Sequence, residues 1–477
     1  MSDAPAGTPP HANDSSDQAA APRLGTGAER EAELAIGDRA VRYRAVADWI
    51  VLRKRDQPIA SMFYTGYFAV DADPATRPLT FVFNGGPGAA SAYLHLGAVG
   101  PTRVVFSDDG RQPSAPSQLA DNLESWLPFT DLVCVDPIGT GFSRTHEHAR
   151  GGNGDNNGNG GGDQAGKPGD KPKPSEFWQI KRDLESVGEF ISRLLTAHRR
   201  WRSPIVIAGE SYGGFRVARL ARTLQEDVGI GLSAAILISP GIEFASLLGS
   251  DYSIDHWLEI LPAFAAAAHA HGKAGAGVSL TDHVAAAEEL AGGDWVNLLA
   301  QGDRMPEERR RAICARAADL IGLPAEMIHA ARGRVPRDQF CRELLRSKHL
   351  FVGMYDASIT ATDPFPDRPV YAGPDPTLQG MSRAFGAGIN AHLREQIGVA
   401  TELDYILLNM EANEAWRNDY SGHVISAAIG SLDELRYGMA LNPEMRVLIS
   451  HGYYDLVTPY SSAERLVRLM KLAPSQS

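Results

Sequence analysis

A serine flanked by glycines, Gly209-Glu210-Ser211-Tyr212-Gly213-Gly214, follows the apolar run Ile205-Val206-Ile207-Ala208 and precedes a stretch with helical spacing. A strand that bends sharply into a helix leaves the side chain at the bend exposed, and glycines on either side let the two elements close without a Cβ collision. Ser211 is therefore the candidate nucleophile of an acyl-transfer reaction. A plain strand-to-helix turn is the bland alternative, and the strand before and helix after weigh against it. Phe81-Val82-Phe83-Asn84-Gly85-Gly86-Pro87-Gly88 sets a glycine-rich loop directly after a second apolar run, where main-chain N–H groups can point outward. The amides of Gly86 and Tyr212 are the expected oxyanion hole, each donor worth roughly 2.7–4 kcal/mol at a transition state. A phosphate loop would need a following Gly-Lys-Ser/Thr, which this segment lacks. His451-Gly452-Tyr453-Tyr454-Asp455-Leu456-Val457-Thr458-Pro459 follows the last apolar run, so Asp455 takes the acid's place in the order Ser, Asp, His. Its task would be to hold a histidine tautomer and stabilise the imidazolium; a solvated turn aspartate is the alternative.

These groups need a sheet to position them. Val41 to Leu52, Ile59 to Val70 and Leu79 to Phe83 read as three successive strands, rich in β-branched and aromatic residues and separated by polar or Pro/Gly breaks. Leu132 to Val135, Ile205 to Ala208, Ala235 to Ile238 and Arg446 to Ser450 are short apolar runs, the form of strands covered on both faces. Between them, Phe177, Ile180, Leu184, Val187, Ile191 and Leu194 recur at helical spacing. Alternating strands and helices predict a mostly parallel central sheet. Residues 245–400 turn Ala-rich and helical and are expected to form a cap inserted between core segments 37–244 and 401–477. Residues 1–36 are expected to be a disordered tail. Residues 151–174, dominated by Gly, Asn, Asp and Lys, are expected to be a disordered loop.

Composition narrows the partners. The chain has 477 residues, 43% hydrophobic and 22% charged, ordinary for a folded protein. A net charge of -12 without a long Lys/Arg run argues against a nucleic-acid partner. Cys134, Cys314 and Cys341 fit neither a zinc cluster nor a dense disulfide framework, leaving open one Cys314–Cys341 bridge. No cofactor or metal is expected. Residues Met1 to Pro22 lack an apolar core, so the chain as written reads as cytoplasmic, or as secreted or periplasmic from a different start. No run approaches the ~20 apolar residues of a membrane-spanning helix.

Asn84-Gly85-Gly86-Pro87-Gly88, Gly139-Thr140-Gly141-Phe142-Ser143, Gly209 to Gly214 and Gly452 to Asp455 occur in order. Together they resemble the serine carboxypeptidase family, peptidase family S10, and the stretch Asn84 to Pro101 with Leu94-His95-Leu96-Gly97 resembles its bacterial branch. The resemblance implies an α/β-hydrolase fold and hydrolysis of C-terminal residues from peptide substrates, with Asn84 and Glu210 binding the substrate carboxylate. An esterase, an acyltransferase on the same scaffold, or an inactive binding homologue are the competing functions.

The likeness departs at three places. Val82 stands where family members have a tryptophan, and Ala98 where a second glutamate shares a proton with the first, so a weakened exopeptidase preference is expected. The family's histidine lies a strand and loop beyond the helix that follows the aspartate, past Ser477. Losing that group from a comparable triad costs on the order of 10⁶ in turnover, or about 8 kcal/mol. His451 is the nearest alternative in sequence, though core or solvent duty suits it better; His95 and His423 are weaker candidates.

Overall fold

The computed structural model describes residues 23–107, 115–146, 173–417, 429–473 and 476. The tail at 1–22, residues 151–172 of the expected loop, and His423 lie outside them. The main sheet contains β1 (Ala28–Ile36), β2 (Arg39–Lys54), β3 (Gln57–Ala69), β4 (Leu79–Phe83), β5 (Asp131–Asp136), β6 (Ile205–Glu210), β7 (Ala234–Ile238) and β8 (Arg446–Ser450). Their spatial order is β1-β2-β3-β5-β4-β6-β7-β8, with the short strand Arg144–Thr145 beside β3. From β5 to β8 all neighbours are parallel; β1, β2 and β3 extend that sheet as an antiparallel meander.

The apolar runs become the most deeply buried strands. Every residue of β4 and β5 is buried, as their mostly apolar composition suits strands covered on both faces. Alternation sorts side chains between two cores: Tyr64, Phe68, Phe81, Phe83 and Val135 face one way, and Phe63, Tyr67, Val82 and Cys134 the other. The first face is covered by α1 (Ile180–Ala197), whose Leu184, Val187, Ile191 and Leu194 form the inward stripe, and by α2 (Tyr212–Thr223).

Two expectations are corrected. Residues 28–36 are not tail but β1, paired antiparallel with β2 through the whole register Ala28↔Ala47 to Ile36↔Arg39. Residues 379–397, expected inside the cap, place Ala384, Phe385, Ile389 and Leu393 on the second face of the sheet with Phe63 and Tyr67. The helical insertion's own core is built from Trp257, Ile260, Leu261, Phe264, Trp295, Ile313, Phe340 and Phe351. Leu456, from the loop after β8, is buried in that same cluster. All three cysteines are free and buried, so Cys314 and Cys341 are not bridged. Among the described residues no helix is long and apolar enough to cross a membrane.

Candidate active site

β6 delivers Ser211 into the bend with φ 58° and ψ −121°, a left-handed conformation costly for any residue with a side chain. The bend is pinned from several sides. Ser211 N–H donates to the Ile238 carbonyl at 3.0 Å, and its own carbonyl accepts from Gly214 N–H at 2.9 Å and Gly241 N–H at 3.1 Å. The residue is half-buried rather than sealed in a core. A Cβ on Gly209 would strike the Gly213 carbonyl, which is why the strand needs glycine two residues before the serine.

The loop after β4 lies directly against this bend. A Cβ added to Gly85 would stand 2.7 Å from both Ser211 Cβ and Tyr212 N, so only glycine permits the approach. Among the described residues no acceptor meets the amides of Gly86 or Tyr212. Gly85 has a different duty that the sequence did not signal: its amide donates to the Glu210 carboxylate. Asn84 is buried and used at both ends, Nδ2 donating to Glu210 Oε2 at 3.0 Å and Oδ1 accepting from Leu94 N–H at 2.9 Å.

Burial pushes the Glu210 carboxyl up to about 7; the hydrogen bonds from Asn84 and Gly85 oppose the rise, and the charge of Asp455 adds to it. That influence of Asp455 follows from strand order, since β8 lies one strand beyond β7 and its following loop opens at the same edge of the sheet as Ser211. Asp455 Oδ1 accepts from Val457 N–H at 2.8 Å and Thr458 N–H at 2.9 Å, and Oδ2 lies 2.6 Å from the Thr458 hydroxyl. Burial raises its pKa above the ordinary carboxylate range while these donors pull it back. The structure thus brings Asn84, Gly86, Glu210, Ser211, Tyr212 and Asp455 to one edge of the sheet.

The histidines are placed elsewhere. His451 Nδ1 donates to the Thr458 carbonyl at 3.1 Å, and burial lowers the ring to about 4, so it stays neutral, and Asp455's carboxylate takes its hydrogen bonds from Val457 and Thr458 instead. His95 is buried against Tyr67 and His392. Gly139 to Ser143 serves packing: Ser143 Oγ bonds the Asp136 carbonyl and accepts from Phe63 N–H, and the Phe142 carbonyl receives the Trp49 indole.

Under the loop lies an ion pair that sequence reading missed. Arg216 Nε donates to Asp183 Oδ2 at 2.7 Å, its NH1 donates to the Asn84 carbonyl at 3.2 Å, and its guanidinium lies 5.2 Å from the Tyr212 ring centroid. Arg216 is 1% exposed and Asp183 3%. One buried cation therefore braces both the Asn84 loop and the residue after the serine.

Residues 40–237 match the family model described as serine carboxypeptidase. Serine carboxypeptidase-like 33 of Arabidopsis thaliana is 35% identical over 88 residues, 18% of this chain and 17% of that protein. Serine carboxypeptidase-like 36 of the same plant is 30% identical over 168 residues, 35% of this chain and 28% of that protein. The chain thus matches less than a third of the length of these curated relatives. The crystal structure of Kex1Δp, a prohormone-processing carboxypeptidase from Saccharomyces cerevisiae, superposes with a TM-score of 0.50 at 16% identity, covering 90% of this chain and 78% of that one. The likeness establishes the α/β-hydrolase fold. The family match spans both the Asn84 loop and the Ser211 bend, so this part of the chain resembles the serine carboxypeptidase family, peptidase family S10.

Proposed function

We propose that this chain is a serine carboxypeptidase-type hydrolase that removes the C-terminal residue of peptides through an acyl-enzyme on Ser211. The observation that carries the reading is the half-buried Ser211, held in a left-handed bend with the Asn84–Gly86 loop packed against it. Ser211 Oγ bonds to the scissile carbonyl carbon, and the amides of Gly86 and Tyr212 stabilise the oxyanion. The C–N bond then breaks, the Oγ proton passing to the leaving amine, and water cleaves the ester to restore Ser211. Asp455 is placed to orient an imidazole that would carry the proton. Among the described residues no imidazole meets its carboxylate, and this one observation favours, as a second reading, a peptide-binding relative without turnover.

Glu210 and Asn84 take the peptide's terminal carboxylate, Glu210 as a neutral donor. Peptides with a free C-terminus are expected to lose one residue about tenfold faster than amidated ones, the worth of one hydrogen bond to a charged group. Mass spectrometry of the products measures the ratio. Equal rates would rule out the carboxypeptidase reading and leave an esterase-like hydrolase.

The same pair sets a pH dependence. With its carboxyl near 7, Glu210 is protonated below that pH and donates to the ligand; above it the carboxylate repels the ligand's own charge. Affinity for a free-carboxylate peptide is expected to fall as pH rises through about 7. Glu210→Gln, which keeps a donor and cannot ionise, is expected to flatten that step in a binding titration.

A further inference from the structure

The wall facing Asp455 comes from the helical insertion, and it is tied to the acid's loop on both sides. Leu456 N–H donates to the Met354 carbonyl at 3.0 Å, and Ala357 N–H to the Tyr454 carbonyl at 2.8 Å, so Tyr355 and Asp356 lie across from Asp455. Tyr355 does not swing freely with its segment. Its amide donates to Thr377 Oγ1 at 3.1 Å, the Met354 amide donates to Asp375 Oδ2 at 2.8 Å, and Thr377 donates to Asp375 Oδ1 at 2.6 Å. The backbone is held by these hydrogen bonds, yet the Tyr355 side chain belongs to a residue 41% exposed, and among the described residues its hydroxyl has no hydrogen-bond partner. Burial raises that phenol's pKa, with further upward pushes from the charges of Glu210, Asp375 and Asp455.

Arg337, at the start of the helix Arg337–Glu343, comes to the same loop. Its NH1 donates to the carbonyl of Leu456, the residue after Asp455, at 3.1 Å. Among the described residues its other N–H groups have no acceptor, and no carboxylate lies within ion-pair distance. A guanidinium anchored by one N–H still offers a planar pair of donors that matches a carboxylate.

We propose that Arg337 and Tyr355 form a subsite, borne by the insertion beside Asp455, that takes an acidic side chain from the last two residues of the peptide. This rests on the peptide-hydrolase reading above. Asn84 and Glu210 are taken up by the terminal carboxylate, so the subsite answers a second negative charge. Arg337 supplies charge and a bidentate fork, and Tyr355 a single neutral donor, so the arginine carries the larger share of the discrimination.

The test is a binding measurement on the full-length Ser211→Ala chain, in which peptide is not consumed. The probes are N-acetylated tripeptides with free C-termini that differ only by Glu for Gln at the penultimate or the terminal residue. The glutamate peptide is expected to bind about tenfold tighter, the worth of one charge-assisted hydrogen bond. Arg337→Gln, which keeps a donor for the Leu456 carbonyl, should bring that ratio close to one. Tyr355→Phe should lower the ratio by a smaller factor. Equal binding of both peptides by the parent protein, or a ratio untouched by Arg337→Gln, would overturn the subsite and leave Arg337 as a clamp on the acid's loop. Binding of neither peptide would instead overturn the peptide-hydrolase reading on which the subsite depends.

Discussion

The Ser211→Ala variant is expected to lose covalent labelling by a fluorophosphonate completely, while the parent chain carries the label on Ser211. The probe bonds to Oγ itself, so no neighbouring group substitutes for it. In a triad that holds its histidine, loss of the nucleophile costs on the order of 10⁶ in turnover, reducing the rate to what binding and the oxyanion donors alone provide. His451→Ala belongs in the same experiment. Its Nδ1 is committed to the Thr458 carbonyl, and its ring is held neutral well below physiological pH. Labelling of His451→Ala is therefore expected to match the parent. A label retained in Ser211→Ala would mean that the reactive residue lies elsewhere and that the bend at 211 is structural.

Asp183→Ala is expected to destabilise the fold by about 3–5 kcal/mol, the cost of removing one partner of a buried ion pair and stranding the other. Arg216 would keep its charge in a site 1% exposed, with the Asn84 carbonyl as its remaining short acceptor. Thermal or denaturant unfolding measures the loss. The double change Asp183→Ala with Arg216→Met should recover much of it, because no unpaired charge is then left in the interior. The recovered protein should still bind carboxylate-terminated peptides less tightly than the parent, since the brace on the Asn84 carbonyl is gone. A single variant as stable as the parent would show that solvent reaches Arg216.

What the sequence disclosed about the fold follows from where each strand sits. β4, β5 and β6 lie in the interior of the sheet, so they are mostly apolar and their limits could be placed to within two residues. β1 is an edge strand whose only buried residue is Leu34; its Glu and Arg side chains face solvent, so Ala28 to Ile36 has the composition of a charged tail. Its strand character comes from pairing with β2, which no local pattern announces. Residues 379–397 were misassigned for a related reason, since an amphipathic helix shows that it has a buried face and not which core that face joins.

The site divides in the same way. Asn84, Gly86, Glu210, Ser211 and Tyr212 lie within two short motifs whose glycines reveal the tight approach of loop and bend. Asp455 could be placed by its position after the last strand. The Arg216–Asp183 pair, the Gly85 amide on Glu210, and the approach of Arg337 and Tyr355 to the acid's loop all join residues far apart in the chain. Their side chains are ordinary in type and spacing, and only the packed structure gives them meaning.

Leu456 is fully buried, and it sits next to Asp455 while filling a hole in the core of the inserted helices. A chimera that exchanges those helices for another set must therefore match the shape around position 456, or the acid's backbone will shift with the new lid. Substrate preference can drift in this architecture only along paths that keep that one leucine-sized socket intact.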